Sequence, residues 1–191
     1  MRRRELLTSV SLAVTGGCTI GGEPPEIGDF RISSPAIEDG NLPERYTCDG
    51  AGISPPLRLD GVPEQAVSIG IVGEWLRSYT PRTIWLLWGI PAEESMELPE
   101  GVPTDRRIES PVTAVQGAND EGTIGYRPPC HETPEYQEYR FVARALPERL
   151  DLRPGADRDA FDSAIQPELS NVSSTTLRVR YDRFDGSSNG E

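Results

Sequence analysis

Short apolar runs of period two, broken by turn residues, mark this chain as mainly β, an antiparallel β-sandwich with one or two short peripheral helices. Glycine and proline number 19 and 18 among 191 residues, and only 36% of the chain is hydrophobic. That balance suits a loop-rich β fold rather than a helical bundle. One segment alone carries helical spacing. The length fits one domain, large enough to bury a core without a metal or many disulfides.

The expected elements run in order along the chain. Phe30-Arg31-Ile32-Ser33 alternates and stops before Pro35. Val67 to Trp75, VSIGIVGEW, is a β-rich run. Thr83 to Ile90, TIWLLWGI, is continuously apolar up to Pro91, which predicts a strand covered on both faces. Tyr139 to Leu146 alternates again, as does Thr176 to Phe184, with Leu177, Val179 and Tyr181 on one side and arginines on the other. The helix is predicted over Ala156 to Gln166. There Ala160, Phe161, Ala164 and Ile165 recur at helical intervals, behind early aspartates and ahead of Pro167.

The charge excludes some partners. Net charge is −12, with 19 basic residues that are all arginine. Such a surface repels nucleic-acid phosphate and anionic headgroups, so no nucleic-acid partner is expected. An acidic, lysine-free composition is also what is expected of a salt-loving microbe's protein, an inference about habitat and not about activity.

The first residues read as an address. Arg2, Arg3 and Arg4 precede a ten-residue apolar run from Leu6 to Thr15, too short to span a bilayer. Arg3-Arg4-Glu5-Leu6-Leu7 resembles a twin-arginine export signal, and Thr15-Gly16-Gly17-Cys18 resembles a lipoprotein cleavage box. Residues 1–17 are therefore expected to be a signal peptide. Cys18 would then be the lipidated first residue, 18–29 a tether, 30–184 the domain and 185–191 a disordered tail. The mature chain, at net charge −14 after loss of three arginines and Glu5, would sit on the outer face of the cell membrane. Export permits a disulfide. With Cys18 spent on lipid, Cys48 and Cys130 are the two cysteines left to pair.

Several segments together resemble the phosphatidylethanolamine-binding protein family, especially its prokaryotic Raf-kinase-inhibitor-like branch. They are SSPAIEDGNLPERYTCDGAGISPPL from Ser33 to Leu57, GVP from Gly61, SIGIV from Ser68, TIWLLWGIPA from Thr83, GANDEGTIGYRPPC from Gly117 to Cys130, and YRFVARAL from Tyr139. The resemblance implies a Greek-key β-sandwich with a small anion-binding pocket at one end. That pocket is built from a DPDAP-type loop, a His-Trp pair, a GPCPP-type loop and a second histidine. It also implies binding to phospholipid headgroups, or inhibition of kinases or proteases, rather than catalysis.

Aligned without gaps, the pocket positions are altered. Glu74 falls at the first aspartate of the loop, Ile84 at the first histidine and Gln137 at the second, while Trp85 keeps the tryptophan. Pro128 replaces a glycine, and His131 and Glu132 stand where prolines are expected. Ile84 offers an anion neither a proton nor a charge, and Gln137 keeps hydrogen bonding without the charge. Anions should bind worse than in the family unless Arg77, Arg82 or Arg127 folds in; otherwise Arg127 is a solvated loop arginine. The implied ligand set is Glu74, Trp85, Tyr126, Arg127, Pro129, His131 and Gln137. Trp75, Trp85, Trp88 and Tyr79 cluster near the pocket in sequence and read mainly as core.

No cofactor or metal is expected, since one histidine and scattered cysteines make a poor zinc set. Paired carboxylates such as Glu93-Glu94 and Asp120-Glu121 read as solvated surface. Asn171-Val172-Ser173 is a glycosylation sequon. The expected function is a lipid-anchored, extracytoplasmic binding protein for a small polar or weakly anionic ligand. The alternatives are a protein-interaction or inhibitor module, and a hydrolase using Cys130 and His131.

Overall fold

The structure is a computed structural model describing residues 30–77, 79–133 and 135–183. The expected leader, the Cys18 lipid site, the tether, Phe184 and the tail lie outside the described residues. Among the described residues, nine strands and one α-helix follow in the order β1 (Arg31–Ser33), β2 (Leu57–Asp60), β3 (Ser68–Trp75), β4 (Arg82–Pro91), β5 (Ser95–Leu98), β6 (Arg107–Ile108), β7 (Ala114–Gln116), β8 (Gln137–Leu146), α1 (Arg158–Ile165) and β9 (Ser173–Tyr181). A small sheet has the order β1-β2-β5 and a large one the order β6-β7-β4-β3-β8-β9; all pairs are antiparallel. The mainly β sandwich expected from the sequence is the fold observed.

Burial sorts the chain into three layers. Ile32, Leu57, Leu59 and Leu98 of the small sheet meet Ile69, Ile71, Trp85, Leu87, Phe141 and Val179 of the large one. On the other face of the large sheet, Val72, Leu86, Trp88 and Leu146 pack against Phe161 and Ile165 of α1. Strand β4 is thus covered on both faces, which is why its sequence is apolar without a break. The Asp157 side chain caps α1 by accepting from the Ala160 amide at 2.9 Å. Pro167 does not end the segment, because the chain continues as a 3-10 turn over Gln166–Asn171. Gly70 lets the helix approach: a Cβ there would lie 2.8 Å from Phe161 Cζ.

Two irregularities in the β3–β4 ladder decide which way side chains point. One falls between Ile69 and Ile71, opposite Gly89 at φ +70°. In the other, Gly73 pairs with Trp85 and Glu74 with Thr83, so Ile84 is the extra residue of a bulge. Ile84 and Trp85, though adjacent, therefore both enter the core between the sheets. The last strand begins at Ser173 rather than Thr176, since Ser173, Ser174 and Thr175 pair with Ala145, Arg144 and Ala143. A Ser/Thr run has no apolar period to announce it. Strands β2, β5, β6 and β7, of two to four residues, are equally silent in the sequence.

Glu74 alternates with Trp75 and faces α1. Its carboxylate, in a residue only 2% exposed, accepts hydrogen bonds from Arg140 Nε and from Arg158 Nη1, the latter at 2.6 Å. Arg158 Nε also reaches Asp162 at 2.7 Å, so the charges join sheet to helix. Burial alone would raise the Glu74 carboxyl, but hydrogen bonds from Arg140 and Arg158 outweigh it and hold the group below its ordinary value. A carboxyl lowered by folding stabilises at neutral pH and loses that contribution as pH falls from about 4.3 through its folded value. Glu74→Gln should cost roughly 1–3 kcal/mol at pH 7, less than a fully buried pair because both arginines are partly exposed. Chemical denaturation at pH 7 and pH 3 should show the gap between variant and wild type closing in acid; a constant gap would refute this role.

Cys48 and Cys130 form a disulfide with 5.4 Å between their Cα atoms, tying the loop after the Glu44–Tyr46 turn to the chain before β8. Reduction, or the double change Cys48→Ala with Cys130→Ala, should lower stability by about 2–5 kcal/mol. A denaturation midpoint unmoved by reductant would contradict it.

Candidate functional site

At one end of the large sheet, the end of β3, the starts of β4 and β8, and the loop ahead of β8 enclose a cleft of about 380 Å³. Trp75, Arg77, Arg82, Arg127, Cys130, His131, Glu132, Thr133 and Gln137 line it. Two larger depressions, of about 550 and 520 Å³, carry Glu93 and Glu97 or Glu64 and Glu94. The end cleft gathers three arginines, Arg77, Arg82 and Arg127, from separate parts of the chain; a further depression of about 360 Å³ holds two, Arg107 and Arg149, beside Glu109 and Asp151.

The loop is fixed from three sides. Gly125 takes φ +93°, and a Cβ there would sit 2.8 Å from Thr104. The buried Tyr126 hydroxyl donates to the Tyr46 carbonyl at 2.9 Å. The Arg127 amide donates to the Ile84 carbonyl at 2.8 Å, and the Cys48 amide to the Pro129 carbonyl at 3.0 Å. The bulge at Ile84 thus holds the loop that carries Arg127. The disulfide closes the other side.

Arg127 is not a solvated loop arginine. Its side chain is 22% exposed, and its Nη2 reaches Glu121 at 2.6 Å. Its Nη1 is buried without a hydrogen-bond partner among the described residues. Arg82 Nε lies 3.9 Å from Asp120, and the Arg77 guanidinium lies 5.1 Å from the Trp75 ring centroid. Asp120 and Glu121, expected as free surface, are held against these arginines by a turn in which Asn119 accepts from the amides of Glu121 and Thr123. The charge in the cleft is guanidinium rather than imidazole.

Around them the polar groups are mostly satisfied. Gln137 accepts from Trp75 Nε1 at 3.2 Å and donates to Thr133 Oγ1 at 3.2 Å. His131 is 3% exposed; its ring nitrogens lie 3.0 Å from the Thr133 carbonyl and 3.2 Å from the Tyr181 carbonyl. Arg183 binds the His131 carbonyl and the Asp49 carboxylate, and the Tyr181 hydroxyl also donates to Asp49. The Tyr181 hydrogen bond and the Arg183 guanidinium hold Asp49 below the ordinary carboxylate range despite some burial. Tyr139 stacks on Trp75 with centroids 6.0 Å apart, and its buried hydroxyl has no partner among the described residues. Burial pushes that hydroxyl up, and the nearby Arg127 charge opposes the shift.

Of the seven ligand candidates, Arg127, His131 and Gln137 meet in the cleft. Pro129 stands one residue before its Cys130 wall. Glu74 does not belong to it, because strand alternation turns the carboxylate toward α1. Trp85 is fully buried, donating to Gln116 at 2.9 Å with Tyr126 edge-on against it, so these two support the cleft from below. Trp75 ends a strand and forms part of the wall, whereas Tyr79 is exposed. Tyr139, Tyr181, Asp49 and Arg183 were missed. The only signals for them were the placement of Asp49 beside Cys48 and the strand-end positions of the tyrosines. The bridged Cys130 sulfur is no nucleophile, and both His131 nitrogens face carbonyls, so no Cys–His dyad exists in this geometry.

Among the described residues no group of three or more metal-binding side chains occurs, and no helix is long and apolar enough to cross a membrane.

Comparison with known proteins agrees with this geometry. The family model described as phosphatidylethanolamine-binding protein matches residues 33–181. A UPF0098 protein of Pyrococcus abyssi is 35% identical over 171 residues, covering 87% of this chain and 92% of that one. A UPF0098 protein of Methanothermobacter thermautotrophicus is 43% identical over 134 residues, 68% of this chain and 85% of the relative. The crystal structure of a phosphatidylethanolamine-binding protein homologue from Chlamydia trachomatis superposes with a TM-score of 0.68 at 28% identity, covering 81% of this chain and 97% of that chain. Escherichia coli YbcL shares the fold, with a TM-score of 0.67 at 22% identity over 81% of this chain and 99% of that one. With the family model spanning most of the sandwich and relatives this similar, the chain belongs to the phosphatidylethanolamine-binding protein family.

Proposed function

We propose that this protein is a non-catalytic, extracytoplasmic, lipid-anchored binding protein whose end cleft takes a small polar or anionic ligand. The carrying observation is the meeting of Arg77, Arg82 and Arg127 in one cleft of an otherwise acidic chain, with the Arg127 Nη1 atom buried and without a partner among the described residues. A buried guanidinium N–H gains most from an acceptor that brings negative charge. The cleft volume suits a headgroup-sized molecule. Trp75 supplies an apolar wall and Gln137 a neutral polar one.

Titration calorimetry with inorganic phosphate, phosphoethanolamine and acetate, in salt high enough for an acidic protein, tests this reading. Phosphate or phosphoethanolamine should give heat, and Arg127→Met should weaken binding about 10–100-fold, the range for losing a charge-assisted hydrogen bond. Absence of heat with all three ligands would remove the small-ligand reading.

The anchoring rests on the arginines, apolar run and Gly-Gly-Cys of the first eighteen residues, and a disulfide suits an oxidising compartment. Wild-type protein expressed in its own cells should partition with membranes, and Cys18→Ser should release it to the soluble fraction. Equal partitioning of the two would exclude lipidation at Cys18.

A further inference from the structure

The molecule keeps most of its sheet edges short. Among the described residues, the edge strands β1, β5 and β6 have three, four and two residues, whereas β9 has nine. The ladder from β9 to β8 runs from Ser173 to Tyr181 without a register shift. Neither proline nor bulge interrupts it; of the usual devices that blunt an exposed edge, β9 carries charge alone, at the exposed Arg178 and Arg180.

The direction of its outer backbone groups follows from one contact. Arg180 donates its amide to the Gly40 carbonyl at 2.8 Å and accepts from the Leu42 amide at 2.8 Å, so both its polar groups point away from β8. Backbone direction alternates along a strand, so Ser174, Thr176 and Arg178 point the same way. None of these three has a backbone partner on that side among the described residues. They form a row about 13 Å long that continues where residues 40–42 leave off.

Side chains define what would fit. Arg178 is exposed, lies directly opposite Arg140 in the ladder, and makes no ion pair among the described residues. Like charges opposite each other repel, and Arg140 is neutralised by Glu74 while Arg178 is not. Arg144 lies on the same face. On the other face of β9, Thr175 and Leu177 are half-buried and leave an apolar shelf at the sandwich rim. An added strand would place acidic residues beside Arg178 and small apolar ones beside Leu177.

We propose that the outer edge of β9 is a docking edge for an extended segment of a partner protein with alternating acidic and apolar residues, which adds as a seventh strand of the large sheet. Main-chain hydrogen bonds to Ser174, Thr176 and Arg178 hold it, and Arg178 selects its charge. The edge is separate from the arginine cleft and needs no ligand there.

The test uses the full chain and two labelled peptides, acetyl-GEVEVEG-amide and acetyl-GRVRVRG-amide, followed by fluorescence polarisation and amide hydrogen exchange. The acidic peptide should bind and slow exchange at Ser174, Thr176 and Arg178. Arg178→Glu should weaken it about tenfold or more and turn the preference toward the basic peptide, with tenfold being about 1.4 kcal/mol. Thr176→Pro removes an outward N–H that takes no part in the ladder, so it should abolish binding while leaving thermal unfolding nearly unchanged. The proposal is overturned if the acidic peptide fails to bind, if protection appears only around Arg77 and Arg127, or if Arg178→Glu leaves affinity unaltered. Sedimentation showing a β9-paired dimer of the chain alone, dissolved by Thr176→Pro, would also overturn it by assigning the edge to a second copy.

Discussion

Strand β3 is buried along its whole length, and a strand in that position must satisfy two faces with one alternating sequence. Ile69 and Ile71 fill the space between the sheets, while Gly70, Val72 and Glu74 answer to helix α1. The last two residues carry the consequence for function. Trp75 is sent to the cleft and Glu74 to the opposite face, where two arginines from different elements compensate its charge. A one-residue change of register here would bring the carboxylate to the arginine cleft and place the indole under the helix.

The cleft is assembled by the same constraint. Because the ladder bulges at Ile84, that residue leaves the strand's regular alternation and lends its carbonyl to the Arg127 amide. The disulfide fixes Cys130 on the other side of the loop. Positive charge then comes from guanidinium groups, which stay charged over the whole accessible pH range, whereas imidazole loses its charge near neutrality. The acidic turn Asn119–Glu121 offsets part of that charge by pairing Arg82 and Arg127.

Most of the sandwich was legible because its long strands have strong periods. TIWLLWGI announced a doubly covered strand, YRFVARAL an alternating one, and the Ala156-to-Gln166 pattern a helix, observed over Arg158–Ile165. The Cys48–Cys130 pair was legible from cysteine number and the reading of the leader. The cleft was only partly legible. Alignment without gaps put Glu74 in the ligand set because matching positions does not tell which face of β3 the carboxylate takes. Arg127 read as solvated because a loop arginine resembles any other until its neighbours are known.

Local chemistry therefore determined the class of fold, the crosslink and the acidic surface, since each depends on residue type, count or short-range period, whereas the family was legible only through the resemblance of several segments taken in order. Tertiary structure decided which face Glu74 occupies, which carboxylates Arg82 and Arg127 meet, and where a long strand edge stays open. Those outcomes depend on pairs separated by tens of residues, such as Glu74 with Arg158 or Gly40 with Arg180, and on two bulges that only the assembled ladder reveals. Packing of distant segments sets side-chain direction, and no local period carries that information.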